Sequence, residues 1–496
     1  MTFPLRAALP VAALPAAALL AGAVLAAASA PLPAAALPPA PPAPPAAAAD
    51  EPATPAPGRL VDGIACRADP SQTYAVYLPS AYDPGRAWPL LFVFDPRSRG
   101  AMAAGIFQAA AEEHGWILAS SNDTMSDGPW DPNVRAVNAM WPDVQERFSV
   151  APKRLYAAGF SGGAMLSWSV AQATGGLAGV IAVGGRLPPE IPSDEVGFAH
   201  FGAAGRHDFN FVPMTEIDEL AASRGAPHRL EIFDGRHQWL APELARVAVR
   251  WLETVAMAEG RRPVVPSFVE AAWEADLAAA RESDEAGDRV TALRRYRALV
   301  ETFDGLRDVA PARARLAALE GDRTTKRELR TAARWIDWER HRKAAAHRAL
   351  GALDDPESPT VPARLASALG IDDLQTRARK EGPEGDAAQR VLESLFVQLS
   401  FYRPREYFPA GRYREAATAL AVAADVRPLP HVLYNLGAAE ARLGHAEKAL
   451  AALERAVAAG WTDADHLAAD EDYASLRDDE TFRALLARMR SSEQPP

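Results

Sequence analysis

The stretch that decides the fold is Arg154-Leu155-Tyr156-Ala157-Ala158-Gly159-Phe160-Ser161-Gly162-Gly163-Ala164-Met165. A short apolar run leads into a serine framed by Gly159 and Gly163, and small and apolar residues then begin a new segment. This pattern predicts a strand, a sharp turn and a helix, with Ser161 on the turn. Glycine on both sides relieves the crowding that side chains would create there. A glycine-rich turn around a buried serine would give the same pattern, so the flanking chain must decide between the two.

The chain around this stretch alternates between apolar runs of strand length and segments of helical period. The apolar runs lie at 72–79, 89–95, 116–121, 154–160, 179–184, 199–204 and 229–233. The helical segments lie at 103–113, 134–148, 164–173, 215–223 and 242–256. Continuous apolar runs bounded by breakers are typical of buried parallel strands. The prediction is an α/β fold, a doubly wound and mainly parallel sheet whose ligand crevice lies at the carboxyl ends of the strands.

Three predicted strand ends carry the residue types of a nucleophilic triad, which are Ser161, Asp208 and His237 in chain order. A serine hydroxyl is a weak nucleophile until a base takes its proton, which His237 can do near neutral pH. Asp208 would fix the tautomer of the imidazole and stabilise the imidazolium. His207 and Asp234 lie close enough in the chain to compete with Asp208 for this role.

A tetrahedral intermediate also needs N–H donors for its oxyanion. Gly162, the residue after the nucleophile, is predicted to supply one. The second is expected from the loop after the strand at 89–95, from Arg97 or Ser98, because Pro96 has no N–H.

The side chains near these strand ends suggest what the site could accept. Arg97 and Arg99 would place two guanidinium groups near the pocket, which could favour an acidic substrate group, or they could belong to a solvated loop. Trp130, Phe209 and Trp239 are the aromatic candidates for the substrate pocket, and each could equally serve ordinary packing.

Several of these motifs together resemble a known superfamily. They are Tyr77-Leu78-Pro79, Gly159-Phe160-Ser161-Gly162-Gly163, Gly205 with Asp208 and Val212-Pro213, and Gly235 with His237 and Trp239. Over about residues 60–258 the chain resembles the α/β-hydrolases, in which Ser, acid and His follow in this order. The closest resemblance is to the secreted polyhydroxybutyrate depolymerase and feruloyl-esterase-like group. The resemblance implies hydrolysis of carboxylic esters, and related branches include acylaminoacyl and dipeptidyl peptidases. The loop Asp95-Pro96-Arg97-Ser98-Arg99 departs from the family, since it replaces a glycine-rich oxyanion loop.

The second half of the chain is rich in Ala, Leu, Arg and Glu and has helical period. The segment Gly411-Arg412-Tyr413-Arg414-Glu415-Ala416 recurs as Gly444-His445-Ala446-Glu447-Lys448-Ala449, 33 residues later. This offset is close to the period of tetratricopeptide helix pairs, which the second copy resembles. Residues 322–350 are predicted to form a long charged helix, 351–386 a connection broken by Pro, Gly and Asp, and 462–489 a closing helix pair. The repeats could bind a protein or peptide partner, or pack against and cap the hydrolase part.

The N-terminus and the composition bear on location and partners. Arg6, a long Ala/Leu/Val run and Ala28-Ser29-Ala30 predict a secretory signal peptide, with an uncleaved membrane anchor as the alternative. The protein is therefore expected to be exported, to the periplasm or outside the cell. A net charge of −11 argues against a nucleic-acid partner. No metal or organic cofactor is implied. The predicted segments are 1–30, signal peptide or anchor; 31–58, Pro/Ala-rich disordered linker; 59–258, hydrolase domain; 259–386, helical region that could hold degenerate repeats; and 387–490, tetratricopeptide-like repeats.

Three functional hypotheses follow from the sequence. The favoured one is an exported serine hydrolase, a carboxylic-ester hydrolase that acts through an acyl-enzyme on Ser161. A serine peptidase is the alternative within the same chemistry. A binding or scaffold protein that uses its helical repeats is the alternative outside it, and the unusual oxyanion loop motivates that hypothesis.

Overall fold

A computed structural model describes residues 55–188, 197–355 and 360–492. The predicted signal peptide or anchor at 1–30 and most of the predicted linker at 31–58 lie outside the described residues. The described residues belong to one compact unit. No helix in the described ranges has both the length and the apolar character needed to cross a membrane.

The first part of the chain forms one eight-stranded sheet. Its strands are β1 (Leu60–Ala65), β2 (Thr73–Tyr77), β3 (Trp88–Phe94), β4 (Ile117–Ser121), β5 (Val150–Phe160), β6 (Gly179–Val183), β7 (Ala199–Gly205) and β8 (His228–Phe233). Their order across the sheet is β1-β2-β4-β3-β5-β6-β7-β8. The pairs β1–β2 and β2–β4 are antiparallel, and the other neighbouring pairs are parallel. The predicted mainly parallel sheet is therefore confirmed.

Helices cover both faces of this sheet. They are α1 (Gly100–His114), α2 (Asp131–Arg147), α3 (Gly162–Thr174), α4 (Phe211–Ser223) and α5 (Pro242–Ala258). Because side chains alternate across a strand, Leu90 and Phe92 of β3 pack on the side of α2, α3 and α4. Leu91 and Val93 pack on the opposite side, against α1 and α5. Burial on both faces explains the continuous apolar runs in the sequence.

Within the described residues, the second part of the chain is helical apart from its connections. Its helices are α6 (Pro266–Glu285), α7 (Arg289–Phe303), α8 (Ala310–Gly321), α9 (Arg323–Leu350), α10 (Pro362–Leu369), α11 (Ile371–Ala378), α12 (Pro383–Val397), α13 (Arg403–Tyr407), α14 (Tyr413–Val426), α15 (Pro430–Arg442), α16 (Ala446–Ala458), α17 (Ala464–Ala469) and α18 (Glu480–Ser492). A π-helical turn, Gln398–Tyr402, joins α12 to α13, and short 3₁₀ turns lie at Gly351–Leu353 and Glu471–Leu476. The fold class is thus the predicted α/β sheet followed by an all-α region.

The helical part differs from the sequence prediction over residues 351–386, and it does not test the predicted membership of the tetratricopeptide family. Residues 351–386 were expected to be a broken connection, but they contain α10, α11 and the start of α12. The reason is that Pro362 and Pro383 stand at the first turns of helices, where proline is tolerated, so they begin helices instead of ending them. Gly411 and Gly444 both adopt positive φ two residues before a helix, as a repeat requires. Membership of the tetratricopeptide family stays a prediction.

The only cysteine, Cys66, follows β1 and is completely buried. Its backbone N–H donates to the Gln72 carbonyl at 2.9 Å, which closes the turn between β1 and β2. Burial, reinforced by the negative charge of Asp143, raises the pKa of the Cys66 thiol to about 12. The thiol is therefore protonated and inert in the folded protein.

Candidate active site

Ser161 stands on a strained turn between β5 and α3. Its backbone has φ 54° and ψ −117°, a conformation that few non-glycine residues adopt. Its N–H donates to the Val183 carbonyl at 2.9 Å, which ties the turn to β6. A Cβ on Gly159 would overlap the Gly163 carbonyl, and one on Gly163 would overlap the carbonyl of Phe94. Both glycines are therefore required by close backbone approach, and strain of this kind is typical of functional sites.

The structure brings the three predicted triad side chains into one chain of hydrogen bonds. His237 Nε2 lies 2.9 Å from Ser161 Oγ. His237 Nδ1 lies 2.9 Å and 3.0 Å from the two carboxylate oxygens of Asp208. The three residues stand just beyond the carboxyl ends of β5, β7 and β8, so the same edge of the sheet holds them close together.

The hydrogen-bond partners assign the proton positions in this chain. An ionised carboxylate can only accept, so the proton shared with Asp208 belongs to His237 Nδ1. His237 Nε2 is then unprotonated and accepts from the Ser161 hydroxyl. Asp208 is fully buried, and it also accepts from the Asn210 N–H at 2.7 Å. This arrangement is suited to removing the serine proton.

The competing candidates for the acid role lie elsewhere. His207 Nε2 is 3.0 Å from Asp386 Oδ1, so its ring turns away from His237 and toward the helical part. Asp234 is exposed to solvent. Of the three candidates, Asp208 is the one that meets the histidine.

Only some of the predicted oxyanion donors have an N–H group that is available to an anion. Gly162 and Gly163 begin α3, and N–H groups in the first helical turn have no intrahelical acceptor, so they are available to an anion. The prediction for Arg97 needs correction, because its N–H donates to Asp95 Oδ1 at 2.9 Å. The Ser98 N–H is also committed, to the Thr124 carbonyl at 3.0 Å.

Asp95 explains the shape of the loop at 95–99, which stands where the resemblance implied a glycine-rich oxyanion loop. It is fully buried and receives two hydrogen bonds from the Arg99 side chain, of 3.0 Å and 2.9 Å, and one from Trp239 Nε1 at 2.8 Å. Burial disfavours its charge, but the bonds from Arg99, Trp239 and the Arg97 N–H together keep the pKa of Asp95 below its usual value. Arg99 is therefore paired with Asp95, whereas the Arg97 side chain is exposed and has no ion-pair partner among the described residues.

The predicted aromatic residues have different surroundings. The Phe209 ring lies 4.2 Å from the His237 ring, centroid to centroid, so it borders the triad. Trp239 packs near Phe160, which itself lies 4.6 Å from His237. Because the indole N–H of Trp239 donates to Asp95, the ring is fixed in place and supports the site through Phe160. Trp130 is 41% exposed and stands at the start of α2.

The structure also shows neighbours of the site that the sequence did not predict. The Ser126 side chain lies directly over Gly162, and its hydroxyl donates to Asp127 Oδ2 at 2.6 Å. Asp127 has φ 62° and accepts a 2.9 Å hydrogen bond from Tyr402 in the π-helical turn. Since 275 residues separate Asp127 from Tyr402, no local pattern could have revealed this contact.

Comparisons with known proteins give structural likeness only. No family model and no curated protein matches the chain. Among solved structures, it is similar to a ferulic acid esterase (15% identity, 36% of this chain and 91% of that one, TM-score 0.31). It is also similar to an esterase from Pyrobaculum calidifontis (13%, 40% and 87%, TM-score 0.34) and to dipeptidyl peptidase 4 from Porphyromonas gingivalis (15%, 39% and 35%, TM-score 0.30).

Proposed function

We infer from the mainly parallel sheet and the strand-to-helix elbow after β5 that the first part of the described chain has the α/β-hydrolase fold. We propose that this protein is a serine hydrolase that cleaves carboxylic esters through an acyl-enzyme on Ser161. The observation that supports the proposal is the unbroken hydrogen-bond chain from Ser161 through His237 to Asp208.

The proposed reaction uses each of these groups in turn. His237 Nε2 takes the proton of Ser161 as the oxygen attacks the ester carbonyl, and the resulting oxyanion faces the N–H groups at the start of α3. His237 then gives the proton to the leaving alcohol, and the acyl group remains on Ser161. A water molecule, deprotonated by His237, attacks the acyl carbonyl; the bond to Ser161 then breaks, His237 returns the proton to the Ser161 oxygen, and the acid is released. Buried Asp208 stabilises the imidazolium in both halves of the reaction.

Labelling with a fluorophosphonate probe tests the activated serine directly. We expect the purified protein to be labelled, and Ser161→Ala and His237→Ala to abolish labelling while folding normally. Labelling of the Ser161→Ala variant, or none of a well-folded wild type, would contradict the proposal and favour a binding or scaffold role.

Paired substrates separate ester from peptide hydrolysis. A short acyl ester and the amide of the same acyl group differ only in the leaving group, so their kcat/KM ratio measures the preference of the site. We expect the ester to turn over and the amide to be cleaved far more slowly. A peptidase would cleave both.

Export of the protein is proposed from the leader sequence alone. Expression of the full chain with its own N-terminus, followed by fractionation and N-terminal sequencing, distinguishes a cleaved leader from a retained anchor. A full-length protein found only in the cytoplasmic fraction would contradict export.

A further inference from the structure

The loop that carries Asp208 is held from two sides. We call Arg206–Phe209 the acid loop. Its first N–H groups bond within the sheet part, from Arg206 to the Phe233 carbonyl at 2.8 Å and from His207 to the Gly235 carbonyl at 2.9 Å. Two of its carbonyls instead accept from the helical part of the chain. Arg390 donates to the Arg206 carbonyl at 3.1 Å, and Lys343 donates to the Phe209 carbonyl at 2.8 Å.

These two donors are held by one buried carboxylate. Glu339 of α9 is fully buried and accepts from Lys343 Nζ and from Arg390 Nε, each at 2.7 Å. We call Glu339, Lys343 and Arg390 the Glu339 cluster. A buried carboxylate is costly unless it is paired and hydrogen-bonded, so the two cations are fixed by it. Each cation also donates to a carbonyl of the acid loop, and a hydrogen bond from a charged donor is stronger than one between neutral groups.

The same helix reaches the neighbouring loops of the site. Asp386, Arg390 and Glu393 share one face of α12, since they are three or four residues apart. Asp386 meets His207, as described above, and Glu393 accepts from Arg236 at 2.8 Å, one residue before His237. Thus α12 contacts the loops of both the acid and the base.

We propose that Glu339, Lys343 and Arg390 are positioning residues for the reaction, which hold the acid loop so that Asp208 keeps its bonds to His237. Asp208 lies between the two carbonyls to which the cluster donates, and its side chain faces His237, whereas the His207 side chain and the carbonyls of Arg206 and Phe209 face the helical part. A displacement of about 1 Å at a catalytic group can cost about 100-fold in rate. The inference rests on the proposed function of Ser161.

The first test is Lys343→Met in the full chain, assayed with a short acyl ester. Because the Lys343 side chain is 24% exposed, the protein should tolerate its replacement. We expect kcat to fall roughly ten- to hundred-fold while KM changes little, since the cluster acts on Asp208 and not on the substrate. Lys343→Arg keeps a cationic donor and is expected to recover most of the loss.

A second variant and a spectroscopic signal separate positioning from mere stability. Glu339→Gln releases both cations and should lower kcat at least as much as Lys343→Met. In both variants the low-field proton signal of His237 Nδ1–H, which reports the bond to Asp208, should shift or broaden.

The matched control is Asp276→Asn. Asp276 of α6 is also a buried carboxylate that joins the helical part to the sheet part, through Arg229 at 2.8 Å and Arg250 at 2.7 Å. None of its hydrogen bonds goes to the acid loop. We expect this variant to lose thermal stability but to keep kcat within about two-fold when folded.

Two results would overturn this inference without contradicting the proposed function. One is a labelled wild type whose folded Lys343→Met and Glu339→Gln variants keep wild-type kcat and proton signal. The other is a loss of kcat that follows the loss of thermal stability equally in all variants, Asp276→Asn included. A wild type that is not labelled at Ser161 would contradict the proposed function, and the inference would fall with it.

Discussion

His200 is a single residue that makes the stability of this protein depend on pH. It lies in β7, is completely buried, and packs 4.9 Å from the Trp168 ring. Within the described ranges, neither of its ring nitrogens has a hydrogen-bond partner. Burial lowers the pKa of His200 to about 4, well below the value of an exposed histidine. The ring therefore stays neutral in the folded protein at moderately acidic pH.

The sign of the effect follows from the two protonation states. The unfolded chain binds a proton at His200 below about pH 6.5, whereas the folded chain does so only near pH 4, so stability is lost as pH falls through this window. At about pH 5 the loss should be about 2 kcal/mol. Urea unfolding of wild type and His200→Leu at about pH 7.5 and pH 5 measures it. Equal losses in the two proteins would refute the prediction.

Arg97 is the residue for which charge predicts substrate preference. Arg99 is paired with Asp95. Of the two arginines, Arg97 is therefore the one whose exposed guanidinium can meet an acidic substrate group. We expect Arg97→Gln to lower kcat/KM for an ester bearing a carboxylate about two- to five-fold, since exposed ion pairs are worth up to about 1 kcal/mol. The neutral isostere of that ester is the control and should be unaffected. A parallel fall for both esters would argue against charge recognition.

At the scale of elements, the turn between β5 and α3 depends on the absence of side chains. A Cβ on Gly159 would strike backbone, which cannot move aside as a flexible side chain can. Gly159→Ala should therefore lower the free energy of unfolding by about 1–3 kcal/mol and abolish fluorophosphonate labelling.

A second glycine-to-alanine change provides the control for this prediction. Gly105 in α1 is exposed and has no atom within 4 Å of its missing Cβ. Gly105→Ala should stabilise the protein by about 0.5–1 kcal/mol and leave labelling intact, because alanine favours the helix. Similar effects of the two substitutions would show that the turn is less crowded than described.

At the scale of elements, sequence reasoning worked where the signal is local. The apolar runs, the glycine-framed serine and the polar strand ends predicted the sheet, and the structure joins Ser161, Asp208 and His237 by hydrogen bonds. Sequence reasoning did not predict the role of Asp95, because only the folded loop turns that carboxylate toward the Arg97 N–H. It also could not predict the Glu339 cluster, whose bonds to the acid loop span 134 and 184 residues.

For the whole molecule, buried charge joins the sheet part to the helical part. Glu253 of α5 is fully buried and is paired with Arg154 of β5 and with Arg262, just before α6. Asp276 joins α6 to β8 and α5 in the same way. Removing one partner of a buried pair typically costs about 3–5 kcal/mol, so neither part is expected to unfold without the other.

Calorimetry of the full chain tests this coupling. We expect one cooperative transition whose calorimetric and van't Hoff enthalpies agree, and a shift of that whole transition to lower temperature in Asp276→Asn. Two resolved transitions, of which only one shifts in the variant, would show that the parts unfold separately.

Because Cys66 is buried, its thiol is a natural reporter of partial opening of the sheet edge at the turn between β1 and β2. A thiol reagent can modify this chain at one atom only, and that atom becomes reactive when the edge of the sheet detaches. The rate of modification, divided by the rate in the unfolded chain, gives the free energy of that opening without any engineered probe. If it equals the free energy of global unfolding, the edge belongs to the most stable part of the protein; if it is smaller, the molecule opens there first.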